Sequence, residues 1–166
     1  MKKIGLILVV FAFLVYWASA GQSQEVSPEV GDNAPDFSLV DVSGNQIRLG
    51  DFKGKKNVVL VFYADSNWSI SHRRLGELQE KISEIEKLDA EVIAFATSGN
   101  QDDVETSKSV QEITFTLIPT PNRSVAKKFG VRTYATIIID KGGIIRFKDV
   151  YNIDSASRII RELQDI

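Results

Sequence analysis

One apolar segment and the residues that follow it constrain the fold most strongly. The segment from Asn57 to Tyr63 carries an uninterrupted apolar run, which fits a strand that is buried on both faces, as in a parallel sheet. A short polar loop follows this strand. From Ser71 to Leu88, apolar residues then recur at spacings of three and four, which is typical of one face of an amphipathic helix. Strand, loop and helix in this order predict a unit of an α/β protein.

The rest of the chain alternates between strand and helix patterns. A β-hairpin is predicted around the turn at residues 43–45, and a final hairpin around residues 141–143. Between these hairpins, the sequence predicts strands at 57–63, 91–97 and 114–118 and helices at 71–88, 101–111 and 124–129. A last helix, capped by Asp154 or Ser155, runs to about Leu163. This order predicts a three-layer α/β/α sandwich with a mixed central sheet and an N-terminal β-hairpin.

The first 20 residues predict a secretory signal peptide. Lys2 and Lys3 precede an apolar stretch, and residues 18–20 fit the small-residue pattern for cleavage before Gly21. A retained membrane anchor is the alternative, but the stretch is shorter than the roughly 20 residues that a spanning helix needs. We therefore expect a signal peptide at 1–20, a flexible leader at 21–29 and one folded domain at 30–166. The protein would be exported by a bacterium, to the periplasm or the medium.

Charge and composition exclude several functions. The chain has 20 basic and 22 acidic residues and no basic cluster, so a nucleic acid is not an expected partner. No membrane partner is expected after signal cleavage. The chain has no cysteine, although exported compartments favour disulfides. His72 is the only histidine, and the acidic residues show no metal-ligand spacing, so neither a metal nor a cofactor is predicted.

Three segments carry a family resemblance. Residues 31–39 match the pattern Gly-x-x-Ala-Pro-x-Phe-x-Leu, Phe62 and Tyr63 match the start of an active-site turn, and residues 136–143 match Thr-Phe-Ile-Ile-Asp-Lys-x-Gly. These motifs resemble those of the peroxiredoxins, the alkyl hydroperoxide reductase/thiol-specific antioxidant (redoxin) family of the thioredoxin superfamily. The resemblance covers about residues 30–150. It implies the thioredoxin fold and an ancestry of antioxidant, peroxide-reducing oxidoreductases.

The catalytic turn of that family is not kept. Ser71 stands at the position of the peroxidatic cysteine, and Trp68 at that of a threonine. In a thioredoxin-type alignment, Ser69 and His72 replace the two redox cysteines instead. A serine hydroxyl is un-ionised at neutral pH and cannot cycle through a sulfenic acid. Both alignments therefore predict that thiol chemistry has been lost.

The serines have a simpler expected role, because Ser69 or Ser71 would cap the N-terminus of the following helix. A non-thiol activity is the alternative, with Ser69 as nucleophile, His72 as base and Asp65 as orienting acid. No oxyanion-hole motif accompanies these residues, and adjacent residues such as Ser71 and His72 point in different directions on a helix. Otherwise His72 is expected to be solvated.

A binding role is predicted for the same surface. Trp68 would cover the end of the helix or anchor a partner, since tryptophan is enriched in binding hot spots. Tyr134 stands at the position of the family's active-site arginine, and Arg132 lies close to it in the chain. The candidate binding residues are Trp68, Ser69, Ser71, His72, Arg132 and Tyr134. The sequence thus predicts an exported binding or accessory module, with a protein partner or a homodimer formed through this face.

Overall fold

The computed structural model describes residues 27–64, 68–98, 100–120 and 122–166, without the side chains of Trp68 and Ser69. Its strands are β1 (Ser38–Val40), β2 (Gln46–Arg48), β3 (Asn57–Tyr63), β4 (Ala90–Ala96), β5 (Thr116–Pro119), β6 (Ala135–Ile139) and β7 (Ile145–Asp149). Its helices are α1 (Trp68–Glu80), α2 (Ile82–Glu86), α3 (Gln101–Val110), α4 (Ser124–Lys128) and α5 (Ala156–Gln164), and a 3-10 helix spans Leu49–Phe52.

The central sheet has five strands in the order β5-β4-β3-β6-β7. Strands β5, β4 and β3 are parallel, whereas β6 and β7 are antiparallel to their neighbours. Strands β1 and β2 form a separate hairpin. This architecture is the mixed α/β sandwich that the order of elements predicts.

Strand β3 lies at the centre of the sheet, and its side chains divide between two cores. All seven of its residues are buried, as the apolar run predicts. Val59, Val61 and Tyr63 pack in one hydrophobic cluster with residues of α1, α2 and α5. Val58, Leu60 and Phe62 pack in a second cluster with residues of α4 and the 3-10 helix. The alternation follows from the two-residue period of a strand and places helices on both faces of the sheet.

The single helix predicted at 71–88 is two helices in the structure. Helix α1 begins earlier, at Trp68, and ends at Glu80, while α2 covers only Ile82–Glu86. Between them Lys81 has φ −107° and ψ 5°, outside the helical range. The apolar spacing persists across this break, because Leu78, Ile82 and Ile85 still face the same core. Periodicity therefore identified the buried face but not the interruption.

The packed part of the chain begins before the predicted domain start at residue 30. Residues 27–29, which the sequence assigns to the flexible leader, contact β7 and the end of α4. The Ser27 hydroxyl donates to the Phe129 carbonyl at 3.1 Å, and the Lys148 ammonium donates to Ser27 Oγ at 2.8 Å. The predicted signal peptide lies outside the described residues. Among the residues that are described, no helix is long and apolar enough to cross a membrane.

Candidate functional site

The carboxyl edge of the parallel strands is closed by hydroxyl-bearing side chains. Thr97 donates to the Tyr63 carbonyl through both its N–H, at 2.8 Å, and its hydroxyl, at 3.0 Å. Thr120 makes the same pair of bonds to the Ala96 carbonyl, at 2.8 and 3.0 Å. Both threonines are buried. Since buried carbonyls need partners, these residues satisfy the ends of β3 and β4.

Ser71 continues this arrangement on α1. Its side chain is fully buried, and its hydroxyl donates to the carbonyl of Ala64 at 2.9 Å. The prediction that Ser69 or Ser71 caps the helix is wrong, because α1 begins at Trp68 and both serines lie inside it. The residue before the helix is Asn67, which lies outside the described residues. Ser71 thus ties the first turn of α1 to the chain just after β3.

This hydrogen bond decides what Ser71 can do chemically. Its proton is already donated to a backbone carbonyl, which is an acceptor and cannot act as a general base. A carbonyl oxygen beside the side-chain atom would also oppose the negative charge of an activated nucleophile. With no exposed surface, the hydroxyl is closed to solvent. Ser71 is therefore a structural residue in this turn.

His72 is half-buried and contacts α3, rather than being solvated as predicted. Its Nδ1 lies 2.8 Å from Nε2 of Gln111, and its Nε2 lies 3.3 Å from the hydroxyl of Ser107. Since the Gln111 amide nitrogen donates, the neutral ring accepts at Nδ1 and donates from Nε2 to Ser107. His72 therefore links α1 to the end of α3. The Ser71 hydroxyl does not use it as a base.

Two further candidate residues, Arg132 and Tyr134, line an open cleft at the start of β6. This cleft has a volume of about 580 Å³ and is lined by Gly130, Arg132, Thr133, Tyr134, Val150 and Tyr151. Arg132 is exposed, and its guanidinium makes no hydrogen bond or ion pair within the described part of the chain. Tyr134 is half-buried and packs on the core cluster that also contains Tyr63. Tyr151 is 83% exposed, an unusual state for a large aromatic side chain.

The structure therefore does not bring the predicted binding residues together at one site. Arg132 and Tyr134 lie together in the cleft, whereas Ser71 is buried and His72 is engaged with α3. The side chains of Trp68 and Ser69, and the whole of Asp65, fall outside the described residues. Within the described ranges, no group of three or more His, Asp or Glu side chains is placed to hold a metal ion.

Sequence reasoning missed three residues of this region. Thr97 and Thr120 close the sheet edge, and Tyr151 forms one wall of the cleft. Thr120 carried a signal only through the family resemblance, which implies an aspartate before the proline of this segment. Tyr151 carried none, since a single tyrosine after a strand gives no hint of its exposure.

Known proteins share this fold. Peroxidoxin BcpB from Mycobacterium tuberculosis superposes with a TM-score of 0.75 at 21% identity, over 83% of this chain and 97% of that one. The reduced 2-Cys peroxiredoxin of Plasmodium vivax superposes with a TM-score of 0.74 at 22% identity, over 82% of this chain and 81% of that one. These likenesses establish a thioredoxin fold, the class that the sequence predicted.

The sequence comparisons identify the family within that class. The model of the AhpC/TSA family matches residues 30–148. Alkyl hydroperoxide reductase E of Mycobacterium tuberculosis is 29% identical over 73% of this chain and 84% of its own length. The chloroplastic 2-Cys peroxiredoxin BAS1 of Arabidopsis thaliana is 28% identical over 84% of this chain, which spans 60% of that protein. The chain belongs to the AhpC/TSA family, and it is a member without any cysteine.

Proposed function

We propose that this protein is an exported binding or accessory module that keeps the peroxiredoxin framework and has lost thiol peroxidase chemistry. One observation carries the proposal: Ser71, which the family resemblance aligns with the reactive cysteine, is fully buried, and its hydroxyl donates to the Ala64 carbonyl. A thiol peroxidase needs an accessible, ionised sulfur. This chain has no sulfur nucleophile, and at the corresponding position it has a closed packing contact.

The cleft beside β6 supports the binding part of the proposal. Arg132 brings a positive charge that no acidic group of the described chain neutralises, and the exposed Tyr151 brings a large aromatic face. Arginine and tyrosine are both enriched in binding hot spots. The proposed partner is a protein that places a carboxylate and an apolar side chain in this cleft. A second copy of the chain is the alternative partner.

Peroxide turnover tests the loss of chemistry. The purified protein, with a thioredoxin system or dithiothreitol as reductant, is expected to consume hydrogen peroxide no faster than a boiled control. Ser71→Cys is expected to remain inactive, because its thiol would be buried against a carbonyl that opposes ionisation. Turnover by the unaltered protein would contradict the proposal.

A matched variant makes the Ser71→Cys result interpretable. Ser109 is exposed on α3, so Ser109→Cys places a single accessible thiol in the same cysteine-free chain. We expect this thiol to react rapidly with a disulfide reagent, and the thiol at position 71 to react far more slowly in the native state. Equal rates would mean that position 71 is open to solvent.

Partner binding tests the cleft. Arg132→Ala combined with Tyr151→Ala is expected to lose a partner that the unaltered protein retains from the exported fraction of its host. Both side chains are exposed, so these changes leave the core intact. Sedimentation of the unaltered protein at micromolar concentration separates self-association from a different partner. An identical set of retained proteins for both forms, with no change in sedimentation, would contradict binding at this cleft.

A further inference from the structure

A second cavity lies at the opposite end of the sheet from Ser71. Its volume is about 240 Å³, and its apolar lining comes from Ala34, Leu49, Phe52, Val58 and Ile139. Val58 is near the start of β3, whereas Ser71 follows the end of that strand. Six residues of strand at about 3.3 Å each place the two ends roughly 20 Å apart. The cavity is therefore separate from the site described above.

The charged side chains around this cavity are committed to partners, with one exception. Lys56 pairs with Glu91 at 2.7 Å. Asp140 pairs with Arg146 at 2.6 Å and accepts the Ile144 N–H at 2.9 Å. The Asp36 carboxylate accepts the backbone N–H groups of its neighbours Phe37 and Gly50. Lys56 and Asp140 are therefore each in an ion pair, whereas the exposed Asp36 carboxylate is held by backbone N–H groups and has no ion pair within the described part of the chain.

Lys53 is the exception. Its ammonium makes no hydrogen bond or ion pair within the described part of the chain. Its Cε and Nζ atoms lie 3.9 and 4.0 Å from the point that a Cβ on Gly143 would occupy. Gly143 has φ +86° and lines the same cavity, so the Lys53 side chain reaches across the mouth toward a residue that needs to be glycine. A positive charge with no ion-pair partner in the described chain thus stands above an apolar floor.

We propose that this cavity binds a small carboxylate with an apolar body of about one ring. The floor favours an apolar group by removing its surface from water. The Lys53 ammonium at the mouth favours a single negative charge, since neither Asp36 nor Asp140 lies within ion-pair distance of it. Small-molecule sites commonly combine apolar walls with a few polar groups that fix the orientation of the ligand.

Ligand titrations followed by the amide spectrum of the full chain test this site. Benzoate is expected to shift the amide signals of residues around Lys53 and Gly143 in a saturable way, with a dissociation constant of about 1 mM or below. Benzamide has the same shape without the charge and is expected to bind about fivefold more weakly. Inorganic phosphate has the charge without the apolar body and is expected to produce no saturable shift.

Variants of Lys53 separate this site from non-specific binding. Lys53→Gln is expected to weaken benzoate about fivefold and to leave benzamide unchanged. Lys53→Glu is expected to abolish benzoate binding and to admit benzylamine instead. Lys55→Gln is the control, because Lys55 donates to the Asp51 carbonyl and does not line the cavity. Equal benzoate affinity in the unaltered protein and Lys53→Gln would overturn the proposal, as would the absence of benzoate binding or phosphate binding of equal strength.

Discussion

Serine and cysteine differ by one atom at position 71, and that atom changes what the site can do. A hydroxyl is a strong hydrogen-bond donor, so it satisfies the buried Ala64 carbonyl at 2.9 Å. A thiol is a weak donor and would gain little from the same contact. The residue therefore stabilises the junction between β3 and α1 in place of reacting. Thr97 and Thr120 do the same for the neighbouring strand ends.

Two aspartates show that burial alone does not set a carboxyl group's pKa. Burial acts to raise the pKa of Asp140, but the Ile144 N–H and the Arg146 guanidinium together outweigh it and hold this pKa below 3.8. Burial also raises the pKa of Asp154, and there the ion pair with Arg158 does not compensate, while Asp149 adds a like charge. The two groups are therefore linked to stability with opposite signs.

We expect Asp140→Asn to lower the free energy of unfolding at pH 7 by roughly 0.5 to 1 kcal/mol, because the ion pair with Arg146 is lost. A depressed pKa contributes stability that is complete above about pH 3.8 and is lost as the pH falls through the folded-state value. The difference between the variant and the unaltered protein should therefore shrink in acid. Urea denaturation of both proteins, at pH 7 and at pH values below 3.8, measures this difference in the free energy of unfolding.

Asp154→Asn is the matched comparison. Its stability relative to the unaltered protein should change with pH in the opposite direction. A raised pKa means that ionisation opposes folding, so this group's contribution to stability falls as the pH rises above 3.8. The stability of the Asn variant relative to the unaltered protein should then increase with pH. Slopes of the same sign for both variants would contradict this account.

At the scale of elements, the stability of α3 depends more on the hydrogen bonds at its two ends than on the packing of its side chains. Only Val104 and Ser107 are buried in this helix. Its N-terminus has a capping box, in which the Asn100 side chain accepts the Asp103 N–H at 2.9 Å and the Asp103 carboxylate accepts the Asn100 N–H at 3.1 Å. Near its C-terminus, His72 of α1 contacts Ser107 and Gln111.

We expect Asn100→Ala to destabilise α3 by about 1 kcal/mol, because one N-terminal N–H loses its acceptor. Hydrogen exchange of the amides in residues 101–110 should accelerate, while exchange in the buried strand β4 should not change. Ser109→Ala, at an exposed position of the same helix, is the control. Unchanged exchange in α3 would show that packing holds the helix without its cap.

Apolar periodicity predicts that a helix forms, but it does not predict the residue at which the helix begins or breaks. The final helix was expected to be capped by Asp154 or Ser155, and the structure selects Ser155, whose hydroxyl accepts the Arg158 N–H at 3.3 Å. Both residue types are good caps, so only the backbone path distinguishes them. The break at Lys81 has no sequence signal, because lysine is a good helix former.

At the scale of the whole molecule, residues 27–33 cover one edge of the central sheet. Strand β7 is an edge strand, and residues 31–33 pair with its beginning: Gly31 donates to the Ile145 carbonyl at 2.9 Å and Ile145 donates to the Asp32 carbonyl at 3.0 Å. Lys148, with 5% of its side chain exposed, donates to Ser27 Oγ, to the Pro28 carbonyl and to the Glu29 carboxylate. Uncovered edge strands promote association with other chains.

We expect Lys148→Met to release residues 27–30, because the carbonyl and hydroxyl groups that the ammonium satisfies would lose their donor. Limited proteolysis should cut near Ser27 faster, and sedimentation should detect more self-association. Lys127→Met, at an exposed position of α4, is the control. Identical cleavage rates for the two variants would show that Lys148 does not retain this segment.

The sequence by itself determined the layers of this protein and the absence of a sulfur nucleophile. Apolar periodicity is a local property, so the burial of β3 and the core face of α1 and α2 could be predicted, and the missing cysteine is a matter of composition. Tertiary structure alone decided the partners of the polar groups. His72 contacts Ser107 and Gln111, which lie 35 and 39 positions further along the chain. The cavity at Lys53 is lined by residues as far apart in sequence as Asn33 and Gly143. A polar side chain can bond to many groups, and the fold of the chain selects which one is within reach.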